Sequence, residues 1–206
     1  MLFNHILRIL KSYRFSLVRI IFYELVFLLR GYKGNRISFS KNSVMSDNIP
    51  CPYYLLIKIN ETLEKRDFEV MLDLGCGSGR AINFFNRTLL NKSFIGIEYF
   101  YEQYNYCKKI FKKQANIKLL QNDFTNCDFL QYDADCYFFN EPIQDDIIFI
   151  KIIKKIINLS SKRKNILLIF VNCNKTVLET LQNIKCIDSY YVGNSRGYSI
   201  YSFERK

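Results

Sequence analysis

Histidine, proline and glycine are scarce in this 206-residue chain, with one, three and eight copies respectively. So few breakers leave little material for linkers, and a second full domain would need more residues than the chain has to spare. The lone histidine is His5, near the start, so the rest of the chain has no imidazole for general-base catalysis or metal binding. The seven cysteines (Cys51, Cys76, Cys107, Cys127, Cys136, Cys173, Cys186) are odd in number and never closer than nine positions, which excludes C-x-x-C zinc and redox pairs. Several fall inside apolar runs and read as small core hydrophobes in a reduced, cytoplasmic protein. Long uncharged stretches are also missing. Arg14, Arg19, Glu24 and Arg30 interrupt the N-terminal apolar region well before the ~18 residues of a spanning helix, and no A-x-A-like cleavage site follows it.

What is present is enough for one ordinary core: 49% of residues are hydrophobic and 16% aromatic, which excludes disorder. Acid is in deficit. Thirty Lys and Arg against nineteen Asp and Glu give a net charge of +11, suited to an anionic partner such as nucleic acid, acidic lipid or a phosphorylated substrate. Residues 1–36 contribute +6 of this, from Arg8, Lys11, Arg14, Arg19, Arg30, Lys33 and Arg36 against Glu24 alone.

The expected organisation is an N-terminal basic amphipathic helical segment (1–34), a connecting segment (35–52) and one domain (53–206). From Asn4 to Arg30 there is no Gly or Pro, and Asn4, Arg8, Lys11, Ser12, Arg19 and Arg30 fall in one arc of a helix, opposite a broad Ile, Leu, Phe, Val and Tyr face. Such a helix suits either docking on its own domain or an anionic membrane interface, with residues 1–30 as a peripheral contact at the inner membrane face. Glu24 lies on its apolar side, which costs something in lipid and could be satisfied by a protein partner. Gly31 to Gly34 is a natural helix stop, and Pro50-Cys-Pro52 forces an extended approach to a helix over Tyr53–Lys65.

From Phe68 on, short apolar runs alternate with segments of helical period. The runs at 70–73, 94–98, 117–120, 136–140 and 166–171 are continuous rather than alternating, so both faces of their sheet should be covered by helices at 80–90, 101–113, 145–159 and 175–183. Ile184–Val192 and Gly197–Phe203 are joined by four residues, too few for a parallel crossover, and should form an antiparallel pair. The fold class is α/β: a Rossmann-like, mostly parallel seven-stranded sheet with a C-terminal antiparallel strand pair and helices on both faces.

Three glycines crowd into Asp73-Leu-Gly75-Cys-Gly77-Ser-Gly79, directly after the first strand. The dinucleotide fingerprint would need glycine where Arg80 stands, and the phosphate loop ending G-K-[ST] is absent. The D-x-G-x-G-x-G pattern of Val70 to Arg80 resembles the first motif of class I S-adenosylmethionine-dependent methyltransferases, and the likeness extends over about residues 50–206. It is similar most of all to small bacterial members with Arg after the glycines, and more loosely to non-SET lysine methyltransferases. The resemblance implies S-adenosylmethionine as cofactor, with S-adenosylhomocysteine as product. It implies a cofactor set of Asp73, Gly75, Cys76, Gly77, Gly79, Glu98, Tyr99, Asp123 and Phe124, in which Glu98 forks the ribose hydroxyls, Asp123 receives the adenine amine and Tyr99 or Phe124 flanks the base. Asn140, with Glu141, stands at the fourth motif beside the transferred methyl. Nucleic-acid amino methyltransferases often follow that position with two prolines and an aromatic; here Asn140-Glu141-Pro142-Ile143 keeps the Asn and one Pro.

The expected activity is methyl transfer to an N or O nucleophile of a small molecule, glycan precursor or protein lysine. An RNA methyltransferase and a non-catalytic cofactor-binding module are the alternatives. Nucleic acid is the less favoured partner, because Lys151–Lys164 reads as one solvated helix face and loop. Bases close to Asn140 are Glu141, Asp145 and Asp146; the adjacent pair reads as a helix N-terminus, and no metal is expected.

Overall fold

The computed structural model describes residues 17–37, 47–159, 165–181, 183–192 and 196–204. Asn4, Arg8, Lys11 and Ser12 of the expected helical arc, the lone His5, the end of the basic stretch at 160–164 and the turn at 193–195 lie outside them.

Among the described residues the helices are α1 (Leu17–Leu29), α2 (Tyr53–Leu63), α3 (Arg80–Thr88), α4 (Tyr101–Ile110), α5 (Asp146–Leu159) and α6 (Lys175–Glu179). The strands are β1 (Val70–Leu74), β2 (Ser93–Glu98), β3 (Ile117–Gln121), β4 (Cys136–Asn140), β5 (Asn165–Val171), β6 (Lys185–Val192) and β7 (Arg196–Glu204). They form one sheet in the order β3-β2-β1-β4-β5-β7-β6, with β1 to β5 parallel and β7 antiparallel to both neighbours. The expected fold class is therefore the observed one.

Side chains of the central strands divide by period two between two cores. Met71, Phe138 and Ile169 pack with α1, α2 and α3 on one face, while Leu72, Leu74, Phe139, Leu168 and Phe170 pack with α5, α6 and two 3-10 turns on the other. Both faces are dry, which is why the strands carry continuous hydrophobicity.

The tail helix is part of this architecture. Ile20 and Phe27 are buried, and Phe27 stacks on Tyr53 with ring centroids 4.6 Å apart. Gly31 ends α1 with a positive φ of 69°, its N–H bonding Leu28 O while the Tyr32 N–H bonds Phe27 O. This is the paired 6→1 and 5→2 closure that glycine permits, sealed by edge contact of Tyr32 on Phe27 at 4.8 Å. Glu24 finds a protein partner. Its Oε1 accepts the Tyr53 N–H at 3.0 Å, capping α2 across the interface, and its carboxylate takes Arg80 Nη1 at 2.8 and 2.9 Å. Arg80 also lies 4.5 Å over the Tyr53 ring and donates to Cys51 O.

Candidate active site

The sheet order reverses between β1 and β4: the chain leaves β1 toward β2 and β3, then returns to β4. In an open α/β sheet the crevice for a ligand lies there, beyond the carboxyl ends of the strands. The loops after β1, β2 and β4 meet at that point in a cleft lined by Gly75, Gly77, Glu98, Tyr99, Asn140 and Glu141, together with Phe124 and Pro142.

Two of the three motif glycines are required by this cleft. Gly75 has φ 78°, and a Cβ there would press on Pro142 Cβ at 3.1 Å, so the loops after β1 and β4 are in contact through a bare backbone. Gly77 has φ 54°, and a Cβ would overlap the Asn48 side-chain amide. Gly79 instead turns toward Phe111 and Cys107, where it closes α3 against the end of α4. The side chain of Cys76 likewise packs against Gly96 and forms part of an inner recess behind the cleft with Asp73, Arg80 and Asn140.

Glu98 ends β2 and is 5% exposed. Its Oε2 accepts the Gly77 N–H at 2.8 Å and its Oε1 the Phe100 N–H at 2.7 Å. Burial pushes its carboxyl up, and the backbone donors of Phe100, Gly77 and Tyr99 oppose that rise. A carboxylate offers about four acceptor positions, so acceptor capacity remains beyond these backbone donors for a hydroxyl. This is a fork already held in place by backbone.

Asp73 presents the opposite situation. It is 3% exposed, and among the described residues no donor reaches its carboxylate. Burial and the charge of Glu98 push its pKa up to about 8. A buried carboxyl without a donor, opening into a recess, is a site waiting for a cation. The methionyl ammonium of S-adenosylmethionine matches that requirement, and its ribose hydroxyls match the remaining acceptor capacity of Glu98. On both counts the residues fit the group.

Phe124 is buried at the cleft wall, and Tyr99 lines it while remaining 43% exposed. Asp123 is not brought in: its Oδ1 accepts the Thr125 N–H at 2.9 Å and hydroxyl at 2.7 Å, and its Oδ2 takes the Asn126 amide at 3.1 Å, so it caps its own 3-10 turn. Asp145 similarly caps α5 through the Ile147 and Ile148 N–H groups. Asp146 meets the Asn174 amide. Among the described residues no group of three or more metal-ligating side chains occurs.

Asn140 ends β4 inside the cleft and donates its amide to Ile49 O at 2.8 Å. Glu141 follows with φ 44°, a conformation rare for a residue with a Cβ and common at functional sites. Its carboxylate pairs with Arg196 at 3.1 Å. Sequence reasoning missed the residues across from these. Asp47, Asn48 and Ile49 of the connecting segment form the facing wall, and Asn48 is tied back to Arg36 O at 3.0 Å. Because this segment lies across the glycine loop, the cleft encloses only about 50 Å³, against roughly 300 Å³ or more for small-ligand sites.

The sequence matches the family described as a methyltransferase domain over residues 65–198, well over half of the chain. A search of curated proteins finds no match. Among solved structures 1070 chains match, so the fold by itself names no acceptor. The mitomycin 7-O-methyltransferase MmcR superposes with a TM-score of 0.54 at 12% identity; the match covers 75% of this chain and 55% of MmcR, so the chain spans about half of that protein's length. A human methyltransferase 10 domain containing protein gives 0.56 at 14% identity, covering 78% and 89%. The SAH-bound Podospora anserina methyltransferase PaMTH1 gives 0.54 at 14%, covering 74% and 77%. At these identities the likeness is one of fold. Family match, fold and the donor set of the cleft agree, and the chain belongs to the class I S-adenosylmethionine-dependent methyltransferases.

Proposed function

We propose that the enzyme methylates an amine or hydroxyl of a neutral or cationic acceptor, a small molecule, glycan precursor or protein lysine, at the Asn140–Glu141 edge of the cleft. The observation that carries this reading is the charge of the lining: Asp47, Glu98 and Glu141 stand on it, and the arginines beside it are each held by a carboxylate, Arg196 by Glu141 and Arg80 by Glu24. A phosphate backbone gains affinity from basic contacts, so the acidic cleft supports this reading over an RNA substrate despite the net charge of +11. The setting we propose is the cytoplasm, in keeping with seven unpaired cysteines. Among the described residues no helix is long and apolar enough to cross a membrane.

S-adenosylmethionine supplies an electrophilic methyl on a sulfonium. In our reading Asp73 and Glu98 hold the two polar ends of the cofactor, and Gly75 and Gly77 let it approach the backbone. Asn140 orients the acceptor. Since sulfonium charge disappears on transfer, alignment and exclusion of water supply much of the rate, and residues 47–50 and Pro142 form the wall that excludes it. A neutral amine needs no base. For a hydroxyl, Glu141 is the carboxylate in reach.

Labelled methyl transfer into fractionated cell extract tests the assignment: label is expected in small molecules, glycan precursors or protein, and label confined to RNA would overturn it. Glu98→Ala removes up to two charge-assisted bonds of about 1.5–3 kcal/mol each, so calorimetry should show cofactor affinity at least tenfold weaker. Unaltered affinity in a folded variant would return Glu98 to a loop-bracing role. Asn140→Ala should cut kcat by an order of magnitude or more with cofactor Kd nearly unchanged. If kcat survives while Kd rises, Asn140 serves to anchor Ile49 and the acceptor role is wrong.

A further inference from the structure

Docking uses only one side of α1. At 100° per residue, Ile20, Phe27 and Glu24 point into the domain. The opposite arc holds Val18 (78% exposed), Ile21 (51%), Phe22 (59%), Leu25 (56%), Leu28 (57%) and Leu29 (86%), without one polar side chain. A helix with a dry inner face normally turns polar residues outward; this one is apolar on both sides. Its cations stand at the border. Arg19 and Arg30 stand together on one side of the outer arc and are exposed, as is Lys33 just beyond the helix, while Arg36 pairs with Glu102 at 3.4 Å. The single acid of the segment, Glu24, is turned inward and neutralised by Arg80. Beside the arc, between α1 and α2, lies a cleft of about 380 Å³ whose walls include Phe22, Tyr23, Tyr54 and Ile57, with Arg19, Lys58 and Glu61 as its charged lining.

We propose that this outward face of α1 seats the enzyme on an anionic bilayer, with Ile21, Phe22, Leu25 and Leu28 in the headgroup–acyl boundary and the flanking cations on lipid phosphates. The two readings of the tail are thus compatible: the inner face docks on the domain while the outer face meets lipid. Charge complementarity selects this occupant over a second copy of the chain. Arg19, Arg30 and Lys33 stand beside this face and the whole chain carries +11, so two copies meeting through it would set like charges together, whereas an anionic leaflet attracts them. The geometry is that of a helix lying on the interface rather than crossing it.

Vesicle sedimentation with the full-length protein tests the proposal. Vesicles of phosphatidylcholine with 30% phosphatidylglycerol should bind the protein at least tenfold more tightly than phosphatidylcholine alone, and about 0.5 M salt should remove most of that preference. The double variant Phe22→Glu/Leu25→Glu should lose vesicle binding at least tenfold while keeping its melting temperature and cofactor Kd, because both side chains face solvent. Phe22→Ser/Leu25→Ser, without added charge, should lose a smaller part. Wild-type protein that ignores anionic vesicles, or variants that bind them as well as wild type, would overturn the proposal. So would light scattering showing a wild-type dimer that the variants convert to monomer, since the face would then be a self-interface.

Discussion

Cofactor affinity should climb as the pH rises from about 5.5 to 7.5, by up to about tenfold per unit, and Asp73→Asn should abolish the slope. Burial and the neighbouring Glu98 hold the Asp73 pKa near 8 in the folded protein without ligand, against an ordinary value of 3.8. An ammonium placed beside it favours the carboxylate, so binding must expel the proton that the free enzyme carries below pH 8, and that expulsion becomes easier as the pH rises. The effect on stability has the opposite sign. Between about pH 4 and 8 the native state keeps a proton that the unfolded chain has released, so the stability contributed by Asp73 is complete at low pH and is lost as the pH rises through 8. Saturating cofactor should therefore raise the melting temperature more at pH 8 than at pH 6. Calorimetry across this range in two buffers of different ionisation enthalpy counts the released proton directly. A flat pH profile, or the same slope in Asp73→Asn, would mean that the recess is not where the ammonium binds.

The second large effect is expected at the link between α1 and the domain. Arg80 is 9% exposed at its side chain, stacked on Tyr53 and held by Glu24 and Cys51 O. Its Nε has no acceptor among the described residues. Removing one partner of a buried ion pair typically costs 3–5 kcal/mol. Glu24 is about one-third exposed, which places Glu24→Ala at the lower end, about 3 kcal/mol, or roughly 6–12 °C in Tm for a chain of this size. Replacing both residues with apolar ones, Glu24→Leu with Arg80→Met, should recover most of the loss because no charge is left stranded. A Glu24→Ala protein melting within 2 °C of wild type would show that Arg80 finds other compensation.

Most of the sheet was legible because parallel strands covered on both faces leave unbroken apolar runs, as Ile166 to Val171 does, whose length suits a strand better than a helix. The antiparallel pair was legible from the four-residue connection between Val192 and Gly197. The glycine loop was readable from its crowding after the first apolar run, and Glu98 and Asn140 from the resemblance, which sets the family's motifs at the ends of the second and fourth runs. Asp123 had the same signal, yet its carboxylate turned into its own 3-10 helix; an Asp followed by Thr two positions on also encodes a cap, and the local bonds won. Asp47 to Ile49 left no trace, since their place across the cleft depends on contacts with residues 75–77 and 140 distant in sequence. The outward face of α1 was blurred for a different reason. Hydrophobic periodicity reports where apolar residues lie on a helix, and on α1 they lie on two sides.

The ion pair between Glu24 and Arg80 spans 56 residues, and that separation has a consequence during synthesis. A ribosome adding about 5–20 residues per second leaves the two partners roughly 3–11 s apart. For the first half of that interval the nascent α1 lacks Tyr53, and for all of it Phe84, to cover Phe27, and it has no Arg80 to neutralise Glu24. The newborn chain thus offers an uncovered apolar helix before its own domain exists, an opportunity for a bilayer or a chaperone to capture it first.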